Sequence, residues 1–187
     1  LFRSKGGIIR FAGERAVLFD TVALGLLRRE LVETLGVSAA RGILTRFGYA
    51  HGWRTAEAMK TAYVWDSERE WQLAGGRLHQ LQGCLIYEPV PRAPGETPRH
   101  FAQSIWRDSY EAEQHVMQFG PAQEPVCWTL AGFASGYLSC AHGRRILCVE
   151  EKCRAAGDAV CLMAGRPEEE WGEDTKATLA YFTPGCL

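Results

Sequence analysis

The side chains best suited to chemistry in this sequence are concentrated in one short segment. Between Cys148 and Cys161 the chain reads CVEEKCRAAGDAVC, which brings three cysteines and two adjacent glutamates together. Thiolates combined with one carboxylate suit Zn²⁺, which prefers four ligands in a tetrahedron. The candidate ligands are Glu150, Cys153 and Cys161 from this segment, together with the more distant Cys127.

The spacing within the segment is compatible with one closed metal site. Glu150 and Cys153 are three residues apart, so a strand end or one helical turn places both side chains on one side. Gly157 and Asp158 can then turn the chain so that Cys161 comes back to them. Four protein ligands would leave no position for an activated water, so such a site would be structural rather than catalytic.

An ordinary packing role for the cysteines stays open at this point. Free cysteines are often buried as small hydrophobic residues, and the sequence contains no paired C-x-x-C knuckle. We expect that packing role for the remaining four cysteines, which are Cys84, Cys140, Cys148 and Cys186.

Composition limits the class of protein and its partners. The 187 residues are 47% hydrophobic and 23% charged, which is typical of a soluble globular domain able to bury its own core. The net charge of −1 provides no field that would attract nucleic acid or an anionic membrane. No stretch approaches the roughly 20 apolar residues of a membrane helix. Seven cysteines, an odd number, favour the reducing cytoplasm over a secreted disulfide framework.

Hydrophobic periodicity predicts helices first and mixed elements afterwards. The predicted helices are residues 22–35, 39–59, 109–119 and 127–139. The predicted strands are residues 8–11 and 15–19, which form a hairpin, and 84–90, 101–106, 144–149 and 161–164. Residues 61–70 are predicted to be a loop or broken helix, and the Pro- and Gly-rich residues 89–99 a surface connection. This order predicts an α+β fold.

Several motifs resemble one family in the same order. The run EPVCWTLAGFASGYLSCAHGRRILCVEEKCRAAGDAVCLMAGRPEEEWG, residues 124–172, resembles the vinyl-reductase-like half of the effector-sensing domain in XylR- and DmpR-type transcription activators. RRELVETLGVSAARGILTRFGYAHGWRTAE (residues 28–57) and LAGGRLHQLQG (residues 73–83) resemble that family's N-terminal half. The resemblance implies an N-terminal helical half with a small hairpin, followed by a mixed α/β half that carries a structural zinc site.

The resemblance also implies roles for individual residues. The family's zinc ligands fall on Cys127, Glu150, Cys153 and Cys161, and Glu151 has no such match. Without the family, a single histidine or tryptophan is more often ordinary core than part of a pocket. The resemblance instead matches His79 and Trp106 to the pair that holds a phenolic hydroxyl. An imidazole can donate or accept and an indole N–H can donate, so this pair suits a hydroxyl.

The remaining pocket positions depart in part from the phenol-sensing pattern. Tyr137 keeps an aromatic side chain, whereas Gln72 stands where a phenylalanine is usual. Cys148 replaces a tyrosine and Gly157 a larger small residue. We therefore expect a widened cavity, and an effector that is a phenol or a bulkier phenolic.

The family's function defines the expected role of the chain. Effector binding would relieve repression of a following AAA+ ATPase, which remodels sigma-54 RNA polymerase in these NtrC-class regulators. Residues 1–36 would support a homodimer, residues 37–172 would sense the effector, and residues 173–187 would begin the linker to the ATPase. The sequence has no G-x-x-x-x-G-K-S/T phosphate loop, and we expect no contact with DNA or membrane. The alternatives are a zinc-containing enzyme and a scaffolding module of vinyl-reductase-like fold.

Overall fold

The chain folds into helices that pack on a four-stranded sheet, with a separate small sheet at its beginning. The computed structural model describes residues 2–91 and 100–183. Most of the predicted connection at residues 89–99, and Cys186, therefore lie outside the described residues. Among the described residues, no helix combines the length and the apolar character needed to cross a bilayer.

The described elements combine helices with two antiparallel sheets, as the predicted α+β class requires. The helices are α1 (Thr21–Leu35), α2 (Val37–Ala62), α3 (Glu68–Leu81), α4 (Tyr110–Phe119), α5 (Trp128–His142) and the short α6 (Lys176–Leu179). The strands are β1 (Phe2–Lys5), β2 (Ile8–Phe11), β3 (Glu14–Ala16), β4 (Ile86–Pro89), β5 (Ala102–Arg107), β6 (Ile146–Lys152) and β7 (Cys161–Pro167). The small sheet has the order β1-β2-β3, and the large sheet has the order β4-β5-β7-β6.

Two predictions about the first half of the chain are corrected. The N-terminal hairpin is a three-stranded meander, because β1 pairs with β2 from the other side. Helix α2 begins at Val37, so Ser38 lies inside it rather than at its N-cap. Asp20 is the N-cap of α1 as predicted, and its carboxylate accepts a hydrogen bond from Ala23 N at 2.8 Å.

Helix α3 was not predicted, because Gly75 and Gly76 read as chain breaks in the sequence. The helix instead needs these glycines for packing. A Cβ at Gly75 would collide with the ring of Tyr137, and one at Gly76 would collide with the ring of Tyr87. Tertiary contact therefore decides these positions, and it outweighs the poor helix propensity of glycine.

Helices α2 and α5 touch through their backbones. A Cβ at any of four glycines would overlap a backbone oxygen of the opposite helix; these are Gly48 and Gly52 on α2, and Gly132 and Gly136 on α5. Small residues were expected to bring the 127–139 helix close to a neighbour, and the structure confirms that expectation. The position of α5 is thus fixed by direct contact with α2.

A buried ion pair fixes the start of α5. Arg28 of α1 and Glu111 of α4 are both buried, and Arg28 Nη1 lies 3.0 Å from Glu111 Oε1. The Glu111 carboxylate also accepts hydrogen bonds from Thr129 N at 3.1 Å and Leu130 N at 2.9 Å. Arg28 Nη2 donates to Val126 O at 2.7 Å. One charged pair therefore joins three helices and satisfies free N–H groups at the beginning of α5.

The residues expected to begin a linker fold back onto the domain as far as they are described. Phe182 is buried and packs edge-on against the ring of Tyr49 on α2. The Arg41 guanidinium lies 4.4 Å from the ring centroid of Tyr181, and Arg46 Nη1 donates to Tyr181 O at 3.3 Å. This stretch, from Glu173 to Phe182, is called the C-terminal segment below.

We predict that Gly52→Ala destabilises the domain. The added methyl group would overlap Phe133 O, and overpacking typically costs about 1–3 kcal/mol, which exceeds the ~1 kcal/mol that alanine gains over glycine in a helix. Equilibrium denaturation should therefore show a lower free energy of unfolding. Ala50→Leu is the control, because Ala50 is exposed on the same helix. Equal stability of Gly52→Ala and the native chain would contradict the close contact.

Candidate functional site

Three cysteines and one glutamate meet at a buried point beside the large sheet. Cys127 directly precedes α5, Glu150 lies on β6, Cys153 follows that strand, and Cys161 begins β7. One potential ligand atom from each of the four residues lies within 4.8 Å of all the others. Cys161 Sγ is 3.9 Å from Cys127 Sγ and 4.0 Å from Cys153 Sγ. The structure thus assembles all four residues predicted to bind metal.

The chemistry of this cluster fits a divalent cation. Zn–S bonds of about 2.3 Å in a tetrahedron place sulfur atoms about 3.8 Å apart, close to the observed separations. Glu150 Oε2 accepts a hydrogen bond from Cys127 N at 2.9 Å, whereas the buried Glu150 Oε1 has no hydrogen-bond partner among the described residues. Burial raises the pKa of Glu150 to about 8 and the pKa of Cys127 well above its usual range. A bound cation would offset this cost of ionisation.

Hydrogen bonds from neighbouring groups orient the sulfur atoms. Ser109 Oγ lies 3.1 Å from Cys127 Sγ, so the hydroxyl contacts a sulfur instead of capping α4. Arg154 N donates to Cys161 Sγ at 3.4 Å. Such outer contacts hold metal ligands in place and adjust their basicity. Both contacts are therefore consistent with a metal centre formed by this cluster.

A second buried space lies on the same side of the large sheet. This cavity, of about 90 Å³, is bounded by α3, α5 and the strands of the sheet. Five of the six residues predicted to bind an effector line it; they are Gln72, His79, Trp106, Tyr137 and Cys148. The structure therefore brings together residues from opposite halves of the chain, and it does so around one enclosed space.

Two of these residues present polar atoms that have no partner. His79 and Trp106 are buried, and their ring centroids are 5.6 Å apart. Both imidazole nitrogens of His79 and Nε1 of Trp106 lack a hydrogen-bond partner among the described residues. Burial lowers the pKa of His79 to about 3, so the ring is neutral at pH 7, with one donor and one acceptor nitrogen. Buried polar groups are normally paired, so this arrangement indicates a site for a polar ligand atom.

The other predicted residues shape the cavity. Tyr137 donates its hydroxyl to Trp71 O at 2.7 Å, and Gln72 Nε2 donates to Ala141 O at 3.3 Å. Cys148 is buried, and burial raises the pKa of its thiol to about 12, so that it remains protonated. The expectation that Cys148 packs as a small residue and the expectation that it lines the cavity are therefore compatible.

The structure corrects the prediction for Gly157. This glycine does not line the cavity. It lies in an exposed turn with φ of 97°, a conformation that favours glycine. In the same turn Asp158 Oδ2 accepts a hydrogen bond from Cys153 N at 2.8 Å. Gly157 therefore shapes the loop that brings the cysteines together, and its small size does not widen the cavity.

Sequence reasoning missed further residues of the cavity. Ser104 lies two residues before Trp106 on β5, and Met163 lies opposite Ser104 on β7. Both line the cavity, as does Phe133, whose ring centroid is 4.6 Å from that of His79. The signal was present, because residues two apart on a strand share one face. The assignment of Trp106 to a pocket implied Ser104 as well.

Comparisons with known proteins agree with this arrangement. The family described as an activator of aromatic catabolism matches residues 1–92, and the vinyl-reductase-type domain family matches residues 106–167. The chain is 36% identical over 185 residues to the transcriptional regulatory protein XylR of Pseudomonas putida, and 32% identical over 188 residues to the phenol regulator MopR of Acinetobacter guillouiae. These matches cover 97% and 100% of the chain but 32% and 33% of the relatives, so the chain spans about a third of their length.

Two solved structures share the fold. The phenol-responsive sensory domain of the transcription activator PoxR, crystallised with phenol, has a TM-score of 0.86 and 37% identity; the match covers 98% of this chain and 92% of that one. A trafficking protein particle complex subunit 3 from Naegleria fowleri, covalently bound to palmitic acid, has a TM-score of 0.54 at 16% identity, covering 82% of this chain and 98% of that one. The second likeness shows the fold alone.

The relatives with substantial identity are transcriptional regulators and a sensory domain, not enzymes. They cover nearly the whole chain, and both halves match the corresponding family models in order. The chain therefore belongs to the XylR-type family of sensory domains, in which the N-terminal domain of activators of aromatic catabolism is followed by a vinyl-reductase-type domain.

Proposed function

We propose that this chain is the effector-sensing domain of a sigma-54-dependent transcription activator and that its effector is a phenol with a single ring. The observation that carries the proposal is the set of unpartnered polar atoms of His79 and Trp106, which face an enclosed cavity. The volume of about 90 Å³ favours one ring, since an apolar cavity on the order of 150 Å³ suffices to bind benzene. Two-ring phenols are therefore disfavoured.

The two polar side chains would share the work of binding the hydroxyl. Trp106 Nε1 can only donate, so it would donate to the phenolic oxygen. Neutral His79 has one nitrogen that can accept the phenolic proton. An aromatic of the same shape without a hydroxyl would leave these buried groups unpaired, which costs about 1–3 kcal/mol. The site would therefore discriminate phenol from toluene.

We propose that the cluster of Cys127, Glu150, Cys153 and Cys161 holds a structural Zn²⁺. Three thiolates and one carboxylate match the ligand preference of this ion. Ligands from residues before α5, on β6 and on β7 would then be tied together at one end of the cavity floor. The ion would supply folding free energy, and four protein ligands would complete its coordination without a water molecule.

The signal would leave the domain through β6. Cys148 on this strand lines the effector cavity. It also lines a second space, of about 340 Å³, beneath the C-terminal segment, together with Ala177 and Thr178. A ligand shifts only an equilibrium between states that it binds differently. Effector binding would therefore change how the C-terminal segment packs on β6, and thereby release a following AAA+ domain.

A homodimer is part of the proposal. The chain between β3 and α1 exposes three consecutive apolar side chains, with 66% of Val17, 80% of Leu18 and 66% of Phe19 accessible. Leu26 and Leu27 on α1 are exposed as well. A contiguous apolar surface of this kind is typical of a protein interface. These residues fall in the part of the chain, residues 1–36, that is expected to dimerise.

We predict that His79→Ala weakens phenol binding by about tenfold or more, equivalent to ~1.4 kcal/mol, since the hydroxyl loses its acceptor. Isothermal titration calorimetry with phenol and toluene measures the effect. The variant should lose the preference for phenol over toluene and keep a melting temperature close to that of the native chain. His142→Ala is the matched control, because His142 lies outside the cavity lining. Unchanged phenol affinity in His79→Ala would remove His79 from the site.

We predict that Cys153→Ala yields protein without metal and with a strongly lowered melting temperature, because removal of one ligand opens a site that contributes to folding. Elemental analysis of purified protein and thermal denaturation measure both effects. Cys84→Ala is the control, since Cys84 is a free cysteine outside the cluster. A Cys153→Ala variant with one bound Zn²⁺ and native melting would refute the metal site.

A further inference from the structure

A buried hydroxyl lies on the floor of the effector cavity, away from His79 and Trp106. Ser104 is only 8% exposed and lines the cavity from β5. Its side chain makes no hydrogen bond within residues 2–91 and 100–183. Buried hydroxyl groups are normally paired. A free hydroxyl that faces an enclosed ligand space therefore indicates a polar atom on the ligand.

The surroundings of Ser104 do not provide that partner. Ser104 pairs in the sheet with Met163, and the next pair along the same face of these strands is Ala102 with Gly165. Leu138 of α5 lines the cavity from above. These neighbours offer no strong acceptor or donor from a side chain. The Ser104 hydroxyl thus stands in an apolar setting where a ligand atom would be its natural partner.

The spacing along β5 matches the dimension of an aromatic ring. Ser104 and Trp106 are two residues apart on one face of the strand, and two residues of a strand span about 6.6 Å. A ring whose first hydroxyl is held by His79 and Trp106 would extend along β5 toward Ser104. A substituent on the far side of the ring would then reach the serine hydroxyl. A substituent next to the first hydroxyl would stay at the tryptophan end.

We propose that Ser104 is a specificity residue that binds a second hydroxyl group, so that the preferred effectors are phenols with a further hydroxyl in the meta or para position. This inference rests on the proposed function, in which His79 and Trp106 hold the first hydroxyl. It goes beyond that function, because it names the substituent and its position on the ring. The hydroxyl of Ser104 can donate to or accept from the ligand, so it tolerates either orientation of the second O–H.

The test compares ligands that differ only by a hydroxyl or a methyl group. Resorcinol and hydroquinone are titrated calorimetrically against 3-methylphenol and 4-methylphenol, with phenol and catechol alongside. In the native chain, one of the two diols should bind about tenfold more tightly than the methylphenol of the same substitution pattern, and catechol should show no such advantage. In Ser104→Ala the advantage should disappear, while phenol affinity stays within about threefold of the native value.

A second variant separates loss of the hydroxyl from loss of the fold. Ser104→Thr keeps the hydroxyl, so it should retain a preference for the diol. If the native chain binds both methylphenols at least as tightly as the diols, or if Ser104→Ala keeps the native ratio, the role of Ser104 is wrong while phenol sensing stands. If no phenol binds the native chain at all, the proposed function and this inference fail together.

Discussion

The direct contact between the backbones of α2 and α5 is the constraint on which the rest of the structure depends. Glycines on both helices remove the side chains that would separate them, so α5 lies against α2 along much of its length. Cys127 directly precedes α5, while Phe133 and Tyr137 lie farther along it and line the cavity. The placement of this one helix therefore sets both the metal cluster and the roof of the cavity.

The sheet joins the same two features from below. On β6 the cavity residue Cys148 and the metal-cluster residue Glu150 are two positions apart and share one face. Across the sheet, Trp106 of β5 pairs with Cys161 of β7. A change in the cavity would therefore act on strands that the metal cluster ties together. A structural metal would thereby take part in sensing, because it would hold rigid the floor against which the ligand binds.

Much of this arrangement could be predicted from the sequence, and the exceptions have physical causes. Periodicity located most helices, and residue chemistry with a family resemblance located the metal cluster. Gly75 and Gly76 were taken for chain breaks, because their helical placement depends on aromatic rings distant in the chain. Gly157 was assigned to the cavity by residue matching, without geometry, and lies elsewhere. Ser104 was overlooked, because the strand alternation that places it beside Trp106 was not followed through.

The central claim is that one phenolic hydroxyl satisfies the buried groups of His79 and Trp106. A crystal structure of the metal-loaded chain grown with phenol tests it most directly. We predict a single phenol in the cavity, with its oxygen about 3 Å from one His79 ring nitrogen and from Trp106 Nε1. Phenol bound elsewhere, or a cavity in which ordered water pairs both groups while phenol is absent, would contradict it.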